Sequence, residues 1–277
     1  CHLGGNIGKP LLPEVRTMQA DDLAIVELSS FQLMGMQLSP SIAAITNLTP
    51  NHLDYHKDFD EYVQAKTSIF THQKPDDRLV LNSDDRVTRT LDIGPGHNVM
   101  TCSKIVKPEN GVYLRDGVIY IAENGQDRML MEAADIRIPG AHNVSNVMMA
   151  AAIVQGLCKD SDIVEVAKTF GGVEHRIEFV REFEGVKYYN DSIAGLNSFD
   201  QKLILIAGGY DKHIPYDVLG KPICEHVKTL LLTGATAPKI RACVEQADCT
   251  QKPEIIDVPD LAAAVRAANA VAQPGDV

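Results

Sequence analysis

The sequence predicts an α/β protein: a mostly parallel central sheet with flanking helices, then a smaller second α/β domain. Short apolar runs carry the first part of this reading, namely "LAIVELSS" (23–30), "IAAITNLT" (42–49), "RLVLNSDD" (78–85), "KLILIAGG" (202–209) and "VKTLLLTG" (227–234). Each ends in a polar or glycine-rich turn, and continuous runs of this length read as strands buried on both faces. Helical patterns intervene in "DFDEYVQAKTSIF" (58–70), "NVSNVMMAAAIVQGL" (143–157) and "LAAAVRAANAVA" (261–272), and that alternation is the mark of α/β architecture. "GVYLRDGVIYIAENG" alternates over short stretches instead, so residues 111–138 are expected to form an antiparallel edge on the first sheet. The paired glycines of "TFGGVEHRIEFV" (169–180) end one helix before a new strand pattern, which places a hinge near Gly172 and gives domains 1–172 and 173–277.

Composition narrows the function classes. A chain of 277 residues with 45% hydrophobic and 23% charged residues is ample for two buried cores. A net charge of −11 without a basic run argues against a nucleic-acid or anionic-membrane partner. No stretch approaches the ~20 apolar residues of a membrane helix. The six cysteines lack C-x-x-C spacing, so reduced, intracellular thiols are expected rather than a zinc site or disulfide scaffold.

The chain opens on "CHLGGNIGKP", which imitates a phosphate-binding loop and fails its requirements. Leu3 stands where the first glycine belongs, Pro10 follows the lysine where Ser or Thr would hold magnesium, and no buried strand precedes it. Gly4, Gly5 and Gly8 would let the backbone turn close to a ligand, with Pro10 starting the next helix.

Polar groups at strand ends are the candidates for chemistry, because ligands of open α/β sheets bind there. Glu27 interrupts an apolar run, so it is either ion-paired or metal-bound. "ITNLTPNHLDYH" crowds Thr46, Asn47, Thr49, Asn51, His52, Asp54 and His56 into one turn, where Asn51 or Asp54 could cap the following helix. An imidazole such as His52 suits a metal or a phosphate, and with Glu27 it could help hold a hard cation. Lys66, in phase with Phe59, Tyr62 and Phe70, reads by itself as a snorkelling surface lysine. In the second domain "YYNDS" presents Asn190 and Asp191, and "GGYDK" presents paired glycines with Asp211 and Lys212. Asn143 and Asn146 share a helix face; capping explains Asn143 but leaves Asn146 over.

"NLTPNHLDYH…YVQAK", "GAHNVSNVMMAA", "VEHRIE", "YYNDS" and "GGYDK", in this order along nearly the whole chain, resemble the Mur ligases, ATP-dependent amide-forming enzymes of peptidoglycan precursor synthesis. "ELSSFQL" with "YYNDS" and "GGYDK" is most similar to the branch that adds D-glutamate to UDP-N-acetylmuramoyl-L-alanine. The resemblance implies a P-loop-type central domain and a Rossmann-like C-terminal domain. It also implies an acyl-phosphate intermediate and a cytoplasmic, monomeric enzyme using ATP and Mg2+.

Residue by residue, the resemblance implies that Glu27 and His52 bind magnesium and that Lys66 is carbamylated beside them. It implies that Asn6 and Ser29 face the nucleotide-sugar substrate, Asn143 and Asn146 the adenine, Arg176 the ATP phosphates and Asp191 the ribose. Lys212 would hold the acidic substrate. The catalytic set is therefore Lys66, His52 and Lys212.

The departures define further expectations. The family's G-K-T loop is expected upstream of Cys1, together with the UDP-gripping domain, and a glutamate-binding turn is expected beyond Val277. "YYNDSIAGLNSFDQK" is several residues short of the family pattern, as though joined at Ile193–Gly195. The segment alone is then expected to be inactive. A folylpolyglutamate synthase, another Mur ligase and an inactive binding module are the alternative readings.

Overall fold

The computed structural model describes residues 1–50, 55–173, 177–191, 194–199, 201–211 and 216–277. The chain divides into two compact units, Cys1–Ala133 with Ser145–Val164 and Ala134–Val144 with Glu165–Val277.

The first unit opens on a parallel pair, β1 (His2–Gly5) and β2 (Ala24–Glu27). A short helix α1 (Ser30–Leu33), strand β3 (Ile42–Ile45) and helix α2 (Phe59–Thr67) follow. Strands β4 (Arg78–Asn82), β5 (Asn98–Ser103), β6 (Gly111–Arg115), β7 (Val118–Glu123) and β8 (Gln126–Glu132) complete a six-stranded sheet ordered β3-β4-β5-β6-β7-β8. Pairing is parallel from β3 to β6 and antiparallel from β6 to β8, which is the antiparallel edge that residues 111–138 predict. Its turns are Asp-Gly and Asn-Gly, with φ of 52° at Asp116, 78° at Gly117, 51° at Asn124 and 77° at Gly125. Two successive positive φ values match the right-handed twist of the flanking strands.

Helix α3 (Ala141–Val154) buries Met148, Met149, Ala151 and Ala152. Arg78 fastens its end to the sheet, donating from Nη1 to the carbonyls of Ala152, Ile153 and Gln155 at 3.3, 3.1 and 2.8 Å. These are carbonyls that the last helical turn leaves without intrahelical partners. Helix α4 (Asp160–Thr169) follows.

The second unit continues with the antiparallel hairpin β9 (Glu178–Phe183) and β10 (Val186–Asn190). Then come β11 (Leu203–Gly208), α5 (Gly220–His226), β12 (Val227–Thr233), α6 (Ala237–Gln246), β13 (Glu254–Asp257) and α7 (Leu261–Val271). The parallel sheet β11-β12-β13 is the strand–helix alternation the sequence predicts. Leu230, Leu231 and Leu232 are at most 1% exposed and contribute about 1.5–3 kcal/mol each through burial.

The structure corrects two fold-level expectations. Strand β2 is exposed along its whole length rather than buried on both faces. Among the described residues it pairs with β1 alone, so Ile25 and Val26 remain 55% and 43% exposed. The cysteines are not all free: Cys224 and Cys249 form a disulfide with Cα atoms 6.3 Å apart. Separated by 25 residues, the two meet because α5 and α6 pack together, a tertiary proximity that local spacing does not encode.

Candidate active site

In the first unit, the N-terminal loop and the end of β2 meet through glycine. Gly5 has φ +111°, and a Cβ there would lie 2.3 Å from the Glu27 carbonyl oxygen. Only glycine permits that approach. It brings Asn6 against Glu27: the Asn6 backbone N–H donates to the Glu27 carbonyl at 2.8 Å and Asn6 Nδ2 donates to Glu27 Oε1 at 3.0 Å. The Glu27 carboxylate is exposed, so the desolvation penalty argued from its apolar surroundings is absent. Pro10 does not start the next helix; Pro13 occupies that place in the 3-10 turn Leu12–Thr17.

Helix α2 supplies Lys66. Its N-cap is Asp58, whose Oδ1 accepts from the Glu61 N–H at 2.9 Å. That corrects the expectation that Asn51 or Asp54 caps this helix: the helix begins one turn later, where Asp58 has the required extended backbone. Lys66 is half-buried, not a surface lysine, and its Nζ donates to the Leu28 carbonyl at 3.2 Å, one residue beyond Glu27. Burial lowers its amine pKa, and the nearby Glu27 charge opposes that shift. Ser29 caps α1 in a capping box with Gln32: Ser29 Oγ accepts from Gln32 N at 3.3 Å, and Ser29 N donates to Gln32 Oε1 at 2.9 Å. His52 lies outside the described residues, as do Asn51 and Asp54. The structure therefore brings together Asn6, Glu27, Ser29 and Lys66.

His56, given no role by its sequence context, is the side chain this reading missed. It is 3% exposed, accepts from or donates to Ser30 Oγ at 2.9 Å through Nε2, and stacks on Phe31 with centroids 5.3 Å apart. No local signal marks it, because Ser30 and Phe31 reach it from a distant segment of the chain.

As a magnesium site, the residues gathered here offer one acidic oxygen ligand, the Glu27 carboxylate. A second would arise only if the Lys66 amine became a carbamate, whose oxygens suit this cation. Among the described residues no group of three or more His, Cys, Asp or Glu side chains forms a metal site.

Two of the nucleotide-side candidates lie on α3. Asn143 is the third residue of the helix, not its cap; its Nδ2 donates to the Pro139 carbonyl at 2.7 Å, whereas a capping side chain would accept. Asn146 stands one turn further along, exposed.

In the second unit, a cavity of about 390 Å3 is lined by apolar side chains of β10 and β11, with Tyr210, Tyr216, Thr236 and Asp191. A volume of that order suits a small-molecule group. Both Asp191 carboxylate oxygens accept backbone N–H groups, Oδ1 from Ile177 at 3.2 Å and Oδ2 from Gly195 at 2.5 Å. At the ends of β11 and β12, Asp211 pairs with Lys239 Nζ at 2.5 Å and accepts from Tyr216 OH at 3.3 Å. Arg176 and Lys212 lie outside the described residues.

Comparison with known proteins then bears on this geometry. The sequence profile of the Mur ligase middle domain matches residues 4–154. A UDP-N-acetylmuramoylalanine–D-glutamate ligase from Acetivibrio thermocellus is 47% identical over 291 residues, which cover 100% of this chain and 62% of that protein. A ligase of the same name from Clostridium botulinum is 43% identical over 285 residues, covering 99% and 61%. The chain thus spans about three-fifths of the length of these relatives. Among solved structures, a pseudomurein peptide ligase type C from Methanothermus fervidus superposes with a TM-score of 0.65 at 16% identity, over 91% of this chain and 64% of that one. A UDP-N-acetylmuramate-alanine ligase from Thermotoga maritima gives 0.61 at 16% identity, over 94% and 67%. At such identities the superpositions speak for the fold alone.

Proposed function

This chain belongs to the Mur ligase family, and from that premise we propose that it carries the central and C-terminal parts of a ligase adding D-glutamate to UDP-N-acetylmuramoyl-L-alanine. The observation that carries the reading is Lys66: a half-buried amine of lowered pKa beside Glu27, in a chain 47% identical to a D-glutamate ligase. A lowered pKa keeps more of the amine neutral, and only a neutral amine can add carbon dioxide to form a carbamate.

In this reading, ATP phosphorylates the terminal carboxylate of the nucleotide-sugar substrate. The D-glutamate amine attacks the acyl phosphate, and inorganic phosphate leaves from the tetrahedral intermediate. The work of the protein is to position the reactants and neutralise charge. Glu27, His52 and carbamylated Lys66 would hold Mg2+, which when bound supplies electrostatic stabilisation of the transferring phosphoryl group. Asn6 orients Glu27 through its amide and stands with Ser29 on the nucleotide-sugar side. Asn143 and Asn146 would face the adenine, Arg176 the phosphates and Asp191 the ribose. Lys212 would hold the acidic substrate.

We assign 1–172 to the central domain and 173–277 to the C-terminal domain, in a cytoplasmic, monomeric enzyme. The sequence contains no G-x-x-x-x-G-K-[ST] segment, so the chain by itself is expected to bind ligands without turnover.

A chimera joining this chain to the uncovered part of the Acetivibrio relative tests the assignment. ADP release with UDP-N-acetylmuramoyl-L-alanine should depend on D-glutamate, with L-glutamate and L-lysine giving little. Equal rates with the three amino acids would sink the D-glutamate reading.

A further inference from the structure

We propose that His56 is a positioning residue for the Glu27–Lys66 pair, a role that rests on the carbamate reading given above. The segment Leu28–Phe31, which leads directly out of Glu27, is tied to α2 and its approach by two side chains, Lys66 and His56. Lys66 Nζ donates to the Leu28 carbonyl at 3.2 Å. His56 Nε2 is 2.9 Å from Ser30 Oγ, with both side chains buried. The His56 ring lies parallel to Phe31, at 5.3 Å and 12°, and meets the edge of Tyr62 at 5.4 Å and 77°.

The Tyr62 ring also faces the amine, its centroid 6.0 Å from Lys66 Nζ. His56 therefore touches both sides of the seam: Ser30 and Phe31 on the segment bearing Glu27, and Tyr62 on the helix bearing Lys66. One stacked contact, one T-shaped contact and one hydrogen bond together define its ring orientation.

The other nitrogen supports the same reading. His56 Nδ1 is buried without a hydrogen-bond partner among the described residues, and its nearest charge is Glu61 Oε2 at 3.7 Å. Glu61 Oε2 already accepts from the Lys57 N–H at 2.6 Å. A carboxylate on that side favours the proton on Nδ1, which leaves Nε2 as acceptor and makes Ser30 the donor. An incompletely satisfied buried imidazole costs stability, and such a cost is retained where the side chain has a positional task.

Loss of the Ser30 bond would release the segment after Glu27 and weaken the hold of Leu28 on Lys66. Groups hydrogen-bonded directly to a metal ligand change affinity by roughly 10–100-fold when removed, and His56, one step further out, belongs at the low end of that range. The test uses the full chain, 13C-bicarbonate as probe and 13C NMR of the carbamate, with Lys66→Ala as the blank and a titration with Mg2+ alone. His56→Phe keeps the stacked ring and removes the nitrogen. It should lower carbamate occupancy and Mg2+ affinity, each by ~10-fold, with little change in melting temperature. His56→Gln, whose amide reaches the place of Nε2, should restore most of both.

Ser30→Ala removes the same bond from the other side and should reproduce the His56→Phe result, so a misfolded His56 variant leaves the proposal testable. Wild-type occupancy and affinity in Ser30→Ala, or in a folded His56→Phe, overturn the proposal while leaving the carbamate intact. A wild-type chain without the Lys66-dependent signal overturns the carbamate reading itself, and this proposal with it.

Discussion

At the scale of single residues, the local field sets the chemistry. His2 sits between two carboxylates, with Nε2 3.1 Å from Asp22 and Nδ1 3.3 Å from Glu14. The Asp22 hydrogen bond, then that of Glu14, raises its pKa above the ordinary 6.5. Glu14 is lowered by Lys9 and then His2, and Asp22 by the Gln19 N–H and then His2. The raised imidazolium stabilises the fold below pH 6.5, and that contribution is lost as pH rises through the folded pKa. The lowered carboxylates contribute above their ordinary values of 4.5 and 3.8 and lose it as pH falls through their folded pKa values. The clamp across residues 2–22 should therefore be fully engaged from about pH 5 to pH 6.5. Proton NMR of the His2 ring should give a midpoint above 6.5, and amide protection over Glu14–Asp22 should fall on the alkaline side. A midpoint at or below 6.5 contradicts the bridge.

Cys102 shows burial outweighing every other influence. Its thiol is pushed up to about 12, with burial the dominant cause. A thiol so rarely ionised at neutral pH is a poor nucleophile. Iodoacetamide at pH 8 should leave Cys102 unmodified in the folded chain and alkylate it in denaturant, which peptide mass spectrometry resolves. Alkylation at equal rates in both states would show that the side chain is not shielded.

At the scale of elements, the apolar runs at 42–49, 78–85, 202–209 and 227–234 announce β3, β4, β11 and β12 because a parallel sheet needs continuous apolar strands. The run at 23–30 reads identically and yields an exposed strand, since burial depends on which elements pack against it. Asp58 could have been found as a cap from its Glu61 partner, but the crowded polar turn before it drew attention to Asn51 and Asp54. His56 was illegible for a different reason. Its environment is assembled from Ser30 and Phe31, some 25 residues upstream, and local spacing carries no trace of that meeting.

The glycine that ends β11 does permit a close approach, but of the neighbouring strand rather than of the ligand that paired glycines after a strand suggest. Gly208 has φ +139°, and a Cβ there would lie 1.7 Å from the Thr233 carbonyl oxygen on β12. Gly208→Ala should then cost about 3 kcal/mol or more, from backbone strain and overpacking together. For a unit of this size that is a fall of roughly 10 °C in melting temperature. A variant melting within about 2 °C of the parent would mean that the strand ends spread at little cost.

At the scale of the whole molecule, two compact units with separate cores imply two separable stabilities. The Cys224–Cys249 disulfide belongs to the second unit alone and closes a loop with a sequence separation of 25. Such a link removes conformations from the unfolded chain, about 3.5 kcal/mol for a loop of this length by the entropy model. The stabilisation should appear in one unit only. Thiol titration in denaturant without reductant should count four groups, Cys1, Cys102, Cys158 and Cys243. Calorimetry with and without a phosphine reductant should then move one transition downward and leave the other in place, while Cys224→Ser should reproduce the shift without reductant. A count of six thiols would return the chain to the fully reduced state its cysteine spacing predicts. A common shift of both transitions would mean that the units unfold as one, so that reduction near α5 and α6 would loosen the Glu27–Lys66 site as well. The thiol count and the calorimetry therefore separate a local staple from a global one.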